Sequence, residues 1–286
     1  MTIPNFSIDL TGRTAIVTGA SAGLGRRFAK VLAACGAKVA CTARRKDKLD
    51  ALVDEITAEG GTAKAFALDV RDAAQLQAII PAVTEALGQP DILVNNAGIV
   101  DAEHATRMSI DLIDDVLDTN LRSLFILSNE FARPLIAKKA PGRIVNVASI
   151  AATSYNGGGA ALYSITKAGV VRVTETLAVE WSKFHINVNG IAPGLFATDM
   201  ADGMIERAGD FSVHFPRKRV AQPEQMDSTL PLASAMNCAL SGAMRWTSPM
   251  PIRRIFDEVS PGKPNRRVSR SVAADTIILS RLRQRS

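Results

Sequence analysis

A single α/β domain built on a doubly wound parallel sheet is the architecture predicted for these 286 residues. Three observations point to it. Short apolar runs alternate with longer amphipathic patterns, the first of those runs enters a glycine-rich turn, and no linker or low-complexity block breaks the rhythm before residue 244. Strands and helices alternating in this way stack as parallel strands whose helical crossovers cover both faces.

In chain order, Thr14–Thr18 is short, apolar and β-branched and reads as the first strand. Gly23–Cys35 then shows helical spacing, and Lys38–Thr42 forms a second strand after a turn at Gly36. Further strands are expected at Ala63–Leu68, Ile92–Asn95, Arg143–Ala148 and Ile186–Ile191, with helices near 46–59, 73–87, 110–138 and 160–183. Residues 194–220 are less regular and are expected to form a mobile segment over a pocket. One domain is expected to span residues 1–243, followed by an atypical basic tail over 244–286.

Composition narrows the function. With 47% apolar and 22% charged residues the chain is neither disordered nor fibrous. Its 3 cysteines, Cys35, Cys41 and Cys238, fit no disulfide framework or zinc spacing, and His104, His185 and His214 are scattered, so no metal site is expected. No secretion signal or membrane-length apolar run is read, and a cytoplasmic protein without membrane attachment is expected. The net charge of +6 looks like a nucleic-acid signal until it is divided. Residues 245–286 carry 10 basic and 3 acidic side chains, leaving 24 basic against 25 acidic in the rest. A near-neutral body with a basic tail offers no charged groove, and no nucleic-acid partner is expected.

The first strand runs into Thr18-Gly19-Ala20-Ser21-Ala22-Gly23-Leu24-Gly25. Taken alone this is either an ordinary strand-to-helix turn or a cradle in which backbone N–H groups and a helix N-terminus receive a pyrophosphate. Its surroundings decide. Asn95-Asn96-Ala97-Gly98 follows the fourth strand, Ser149 the fifth, Asn120 lies between them, and Tyr163-Ser-Ile-Thr-Lys167 opens the long helix after Ser149. In this order and on these strands the set resembles the short-chain dehydrogenase/reductase family, over residues 7 to about 243. Asp69-Val70 and Pro193-Gly194 belong to the same pattern. The resemblance implies a Rossmann-type fold and hydride exchange between a nicotinamide cofactor and a ketone or secondary alcohol.

The residue types support that chemistry independently. Tyr163 and Lys167 are one helical turn apart, so the ammonium can lie near the phenol. A cation there is expected to draw the phenol down from its ordinary pKa of ~10 toward a useful range, making Tyr163 a general acid/base. Ser149, at the carboxyl end of a strand, is placed to orient a substrate carbonyl. By resemblance, Lys167 also bonds the nicotinamide ribose, and Asn120 holds a water in a proton relay.

After the second strand, where an acidic residue would select NAD(H), the chain has Ala43, then Arg44 and Arg45. Both arginines can pair with a 2′-phosphate, so NADP(H) is preferred and NAD(H) is the alternative; the arginines otherwise simply solvate a helix start. The resemblance further implies cofactor contacts from Gly19, Ser21, Gly23, Leu24 and Gly25, from Asp69 and Val70 at the adenine, from Asn96, Ala97 and Gly98, and from Ile191, Pro193 and Thr198 near the nicotinamide. A mainly apolar pocket is expected from Tyr155, Leu195, Phe196, Met200, Met204 and Phe211.

The tail departs from the family. Residues 223–234 look like its last helix, but Met244–Arg254, rich in Arg, Ser and Pro, stands where an apolar edge strand is expected. It reads as a genuine extension, a binding tail or an out-of-frame terminus. The abrupt change of composition favours the last. A poorly ordered tail is the default expectation, although Ile277–Leu282 could make a short helix. Family members pair into homodimers or homotetramers through the last strand and through the helices bearing Asn120 and Tyr163, so loss of the edge strand would remove half of that interface. A catalytically silent nucleotide-binding protein is the alternative function.

Overall fold

The computed structural model describes residues 8–101, 103–155, 159–208, 219–235, 245–247 and 277–279. Its sheet is formed by β1 (Thr14–Thr18), β2 (Lys38–Ala43), β3 (Thr62–Ala67), β4 (Ile92–Asn95), β5 (Gly142–Val147), β6 (Ile186–Ala192), β7 (Arg245–Thr247) and β8 (Ile277–Leu279), in the order β3-β2-β1-β4-β5-β6-β7-β8. Every pairing is parallel except β7 with β8. Between the first six strands run α1 (Gly23–Ala34), α2 (Lys46–Ala58), α3 (Ala73–Leu87), α4 (Ile110–Leu117), α5 (Ser123–Ala137) and α6 (Ala161–Trp181); α7 (Asp199–Ala208) and α8 (Thr229–Ala235) follow β6. The doubly wound expectation is met.

The two-residue period of a strand divides the core. In β1, Ala15 and Val17 point into one cluster with Phe28 and Leu32 of α1, Leu49 and Leu52 of α2 and Leu230 of α8. Ile16, between them, points to the opposite face, where Leu76 and Ile80 of α3, Phe131 of α5 and Leu177 and Trp181 of α6 pack. With both faces covered, the central strands read as unbroken apolar runs, which is why they are visible in the sequence.

The helix starts are not equivalent. Asp72 accepts from the Ala74 and Gln75 amides to cap α3, and Ser109 accepts from Leu112 to cap α4. Ala22, Arg45 and Ala160, at the starts of α1, α2 and α6, supply no side-chain cap. These three uncapped starts leave backbone N–H groups that other partners must satisfy.

Three expectations are corrected. The helix foreseen over 110–138 is two helices joined by a π-turn at Asp118–Arg122, because one extra residue is accommodated around buried Asn120 without breaking the apolar stripe. The break expected at the sheet edge is bridged: Arg245–Thr247 pairs with Gly190–Ala192, since a ladder is made by backbone groups and Trp246 and Thr247 suit a strand. Ile277–Leu279 is a strand and not the start of a helix, as β-branched residues beside an open edge favour. The rest of the tail lies outside the described residues. Within the stretch expected to be irregular, 199–208 is helical and 209–218 lies outside the described residues.

Candidate active site

Strand order reverses between β1 and β4, and in an open parallel sheet the crevice beyond the strand ends at that point is where ligands bind. The glycine-rich turn and Asn95–Gly98 both lie there. The Thr18 hydroxyl accepts from the Asn96 and Ala97 amides at 2.9 and 3.0 Å and donates to the Val94 carbonyl at 3.3 Å. The Asn96 side chain donates to the Thr18 carbonyl at 2.9 Å. Asn96 is therefore committed to holding the two strand ends together, and Thr18, its partner, was not identified as a site residue from sequence.

Two glycines make the approach possible. Gly19 has φ +68°, and a Cβ on it would lie 2.9 Å from the Ala97 Cα. A Cβ on Gly25 would lie 2.3 Å from the Gly19 carbonyl oxygen and 2.4 Å from the Asn96 side chain. The first turn of α1 thus rests on the turn that precedes it, with no side-chain cap on its N–H groups and no acidic residue within that turn to repel an anion. Gly25→Ala is expected to lower stability by about 1–3 kcal/mol through overpacking. It should also abolish the thermal shift that NADPH gives the unsubstituted protein; a variant with the usual shift would show the contact to be dispensable.

The remaining expected cofactor residues divide into groups. Arg45 reaches over the turn, its guanidinium donating to the Ser21 hydroxyl at 3.1 Å, while Arg44 is exposed at the end of β2 and its charge acts on Asp69. Asp69 is held below the ordinary carboxylate range chiefly by its hydrogen bond from Arg71, which also pairs with Asp115 on α4. Leu24 and Val70 pack against the two core clusters. Thr198 approaches Gly23, and the Pro193 carbonyl accepts from the Ile150 amide at 3.0 Å.

Tyr163, Lys167, Ser149 and Asn120 converge beyond β5. Ser149 accepts from the Ala151 amide at 3.1 Å, and its hydroxyl lies near enough to the Tyr163 phenol to favour the phenolate. Ser164 donates to the Ala151 carbonyl at 2.6 Å, tying α6 to the turn that carries Ser149. Lys167 is buried, lies 5.6 Å from the centre of the Tyr163 ring and donates to the Val147 carbonyl at 2.8 Å. Both amide hydrogens of Asn120 are used, one on the Ile99 carbonyl at 2.8 Å and one on the Thr166 hydroxyl at 3.2 Å, and its oxygen accepts from the Ile99 amide at 2.8 Å.

The expected electrostatics are revised. Burial raises the Tyr163 phenol above its ordinary value, against the opposing hydrogen bond from Ser149, and the nearby Asp101 charge raises it further. The same burial pushes the Lys167 ammonium down to about 8. Desolvation of the pair thus outweighs the lowering expected of a cation one turn away.

Of the apolar pocket residues, Tyr155 and Met200 are exposed, while Phe196 packs on the core and its segment is pinned by hydrogen bonds to Ala221. Phe211 and the Met204 side chain lie outside the described residues.

Residues 13–208 match the model of the short chain dehydrogenase family. The chain belongs to the short-chain dehydrogenase family. It is therefore an oxidoreductase of the NAD(P)-dependent kind that acts on alcohol and carbonyl groups. Among similar proteins, the 3-oxoacyl-(acyl-carrier-protein) reductase of Vibrio cholerae is 36% identical over 233 residues, covering 81% of this chain and 93% of that protein. Its Escherichia coli counterpart is 39% identical over 204 residues, covering 71% and 82%. A short-chain type dehydrogenase/reductase from Mycobacterium marinum superposes with a TM-score of 0.79 at 30% identity, over 83% of this chain and 94% of that one. A gluconate 5-dehydrogenase from Burkholderia cenocepacia, in complex with NADP and tartrate, gives 0.76 at 28%, over 83% and 94%.

Proposed function

We propose that this short-chain dehydrogenase is an NADP(H)-dependent enzyme interconverting a ketone and a secondary alcohol, with Tyr163 as proton donor and acceptor. The observation that carries this reading is the Ser149–Tyr163–Lys167 group assembled beside a glycine cradle over which Arg45 extends. When bound, the nicotinamide supplies or receives the hydride at the reacting carbon. The chain's own residues handle position and proton. Ser149 donates to the carbonyl oxygen and holds it near the phenol, and Tyr163 gives that oxygen its proton in reduction or takes it in oxidation. A phenol raised by burial stays protonated at neutral pH, as an acid must. Lys167, with its ammonium near 8, refills a tyrosinate downhill. Asn120 and Thr166 connect that pair to the loop beyond β4.

Arg44 and Arg45 support NADP(H), because a guanidinium pairs with a 2′-phosphate and Ala43 offers no carboxylate to a ribose diol. Replacing both with Ala is expected to weaken NADPH binding by about 10- to 100-fold and to leave NADH binding unchanged, at about 1.5–3 kcal/mol for hydrogen bonds to charged groups. Nicotinamide fluorescence titration reads both; equal losses for the two cofactors would remove the assignment.

The relatives' names supply two members of a substrate panel, 3-oxoacyl thioesters and sugar acids, to which the apolar pocket expected from the sequence adds simple apolar ketones. Turnover of any of these with NADPH supports the reading, and cofactor binding without turnover across the panel would return the protein to a silent nucleotide-binding role. No helix of the described residues is long and apolar enough to cross a membrane. Pairing of subunits through α5 and α6 is supported by Phe125, Ile165 and Val179, large apolar side chains exposed on those two helices.

A further inference from the structure

The most buried acidic side chain facing the proposed proton donor is one that no motif contains. Asp101 lies in the loop that leaves β4 and is 1% exposed. One of its carboxylate oxygens accepts from the Tyr163 amide at 2.9 Å and the other from the Leu162 amide at 3.1 Å. These are the second and third residues of α6, whose own N-cap, Ala160, has no acceptor to offer them. A side chain 61 residues away in sequence therefore does what a local Ser or Asp does at α3 and α4.

We propose that Asp101 is a positioning residue of the proton-transfer site: its buried carboxylate fixes the first turn of α6, and with it the Tyr163 hydroxyl, against Ser149. The inference rests on the reading of Tyr163 as proton donor. The surrounding bonds form a closed clamp. Asn120 grips Ile99 by both its amide and its carbonyl, which holds the loop two residues before Asp101. From the same amide it reaches Thr166, whose hydroxyl donates to the Tyr163 carbonyl at 2.8 Å. Tyr163 is thus held at its N–H by Asp101 and at its C=O through Thr166, and both restraints converge on Asn120. An ordinary N-cap would stabilise α6 without coupling it to the π-turn. This arrangement couples the helix, the loop after β4 and the α4–α5 junction at the residue that must meet substrate.

A carboxylate so placed also acts on the phenol through space. The groups around Tyr163 are Lys167 on its own helix, Ser149 after β5, and Asp101 after β4; Glu103 and His104 continue that loop past Gly159, where the Glu103 carboxylate accepts from the His104 amide. Asp101 favours the protonated phenol. Removing its charge lets Tyr163 ionise at lower pH. In reduction the acid form is then lost sooner, and in oxidation the base form appears sooner, so both limbs move in the same direction.

Three variants test this, each measured for kcat, KM, pH dependence, NADPH affinity and melting temperature. Asp101→Asn keeps the volume and one acceptor oxygen, so it retains one of the two capping bonds while removing the charge. It is expected to stay folded with unchanged NADPH affinity, and to move the Tyr163 limb of the pH profile to lower pH. Asp101→Ala removes both and is expected to lose about tenfold or more in kcat, since small misplacements of a reacting group are costly, with little change in KM. An Asp101→Asn limb at the unsubstituted position overturns the proposal, as does a folded Asp101→Ala with normal kcat. If Asp101→Ala does not fold, the Asp101→Asn limb decides alone. Tyr163→Phe separates the two levels: if it still turns over, the proton-donor reading itself is wrong, whereas an inert Tyr163→Phe beside an unmoved Asp101→Asn limb removes the role of Asp101 only.

Discussion

Tyr163→Phe is expected to lower kcat by about 10³-fold, within the range that general acid–base catalysis contributes, while NADPH binds with its usual affinity and the melting temperature stays close to that of the unsubstituted protein. The substitution removes one oxygen and keeps the ring, so the packing beside Lys167 is retained and only the hydroxyl facing Ser149 is lost. The phenol is raised by burial, which suits a group that must arrive protonated at the carbonyl oxygen of a ketone. Reduction should accordingly hold its rate through neutral pH and decline only on the alkaline side. In Tyr163→Phe that decline should vanish together with the rate. A variant retaining more than about a tenth of the turnover would place the proton donor elsewhere, given the size of the effect expected.

How much of this was legible in the sequence depends on whether a residue's role is local. β1, β2 and α3 could be placed to within a residue or two because buried strands and amphipathic helices leave periodic traces. Gly19 and Gly25 were visible as a motif, but the reason for them, the close passage over Ala97 and the Gly19 carbonyl, exists only once the strand ends are brought together. The π-turn was hidden because apolar residues at 116, 124 and 127 continue the stripe across it. Asp101 left no trace at all. Its partners lie 61 and 62 residues away, and an isolated acidic residue in a loop resembles any solvated one. Asn120 was reached by resemblance alone; its bonds to Ile99 and Thr166 now give it a physical role of its own. The reversed electrostatics of Tyr163 and Lys167 have a similar origin. One-turn spacing suggested the pair, but only three-dimensional burial determines that desolvation dominates.

Lys167→Met is expected to abolish turnover and at the same time to make the protein more stable at pH 7. The ammonium is buried, donates to the Val147 carbonyl, and is taken by burial from 10.5 to about 8. That fall corresponds to about 3 kcal/mol, at 1.36 kcal/mol for each tenfold change in proton affinity. A methionine of similar length fills the space without a charge to desolvate, and losing the hydrogen bond returns about 1 kcal/mol, leaving a gain of about 2 kcal/mol. For a domain of this size the melting temperature should rise by about 4–8 °C. The pH dependence identifies the cause. Below about 8 the folded protein carries the lysine charged and bears the whole cost. Between about 8 and 10.5 the unfolded chain binds the proton more strongly than the folded one, so the unsubstituted protein gains stability as pH rises through that window. Above it both states are neutral and the cost is gone. The stability gap between the two proteins should therefore be widest at neutral pH and close toward pH 10.5 in parallel denaturation series. A gap that stays constant across the window would show that the methionine acts through packing. A gap that closes while turnover is absent throughout would mean that the fold tolerates a costly buried charge at the one position where the reaction uses it.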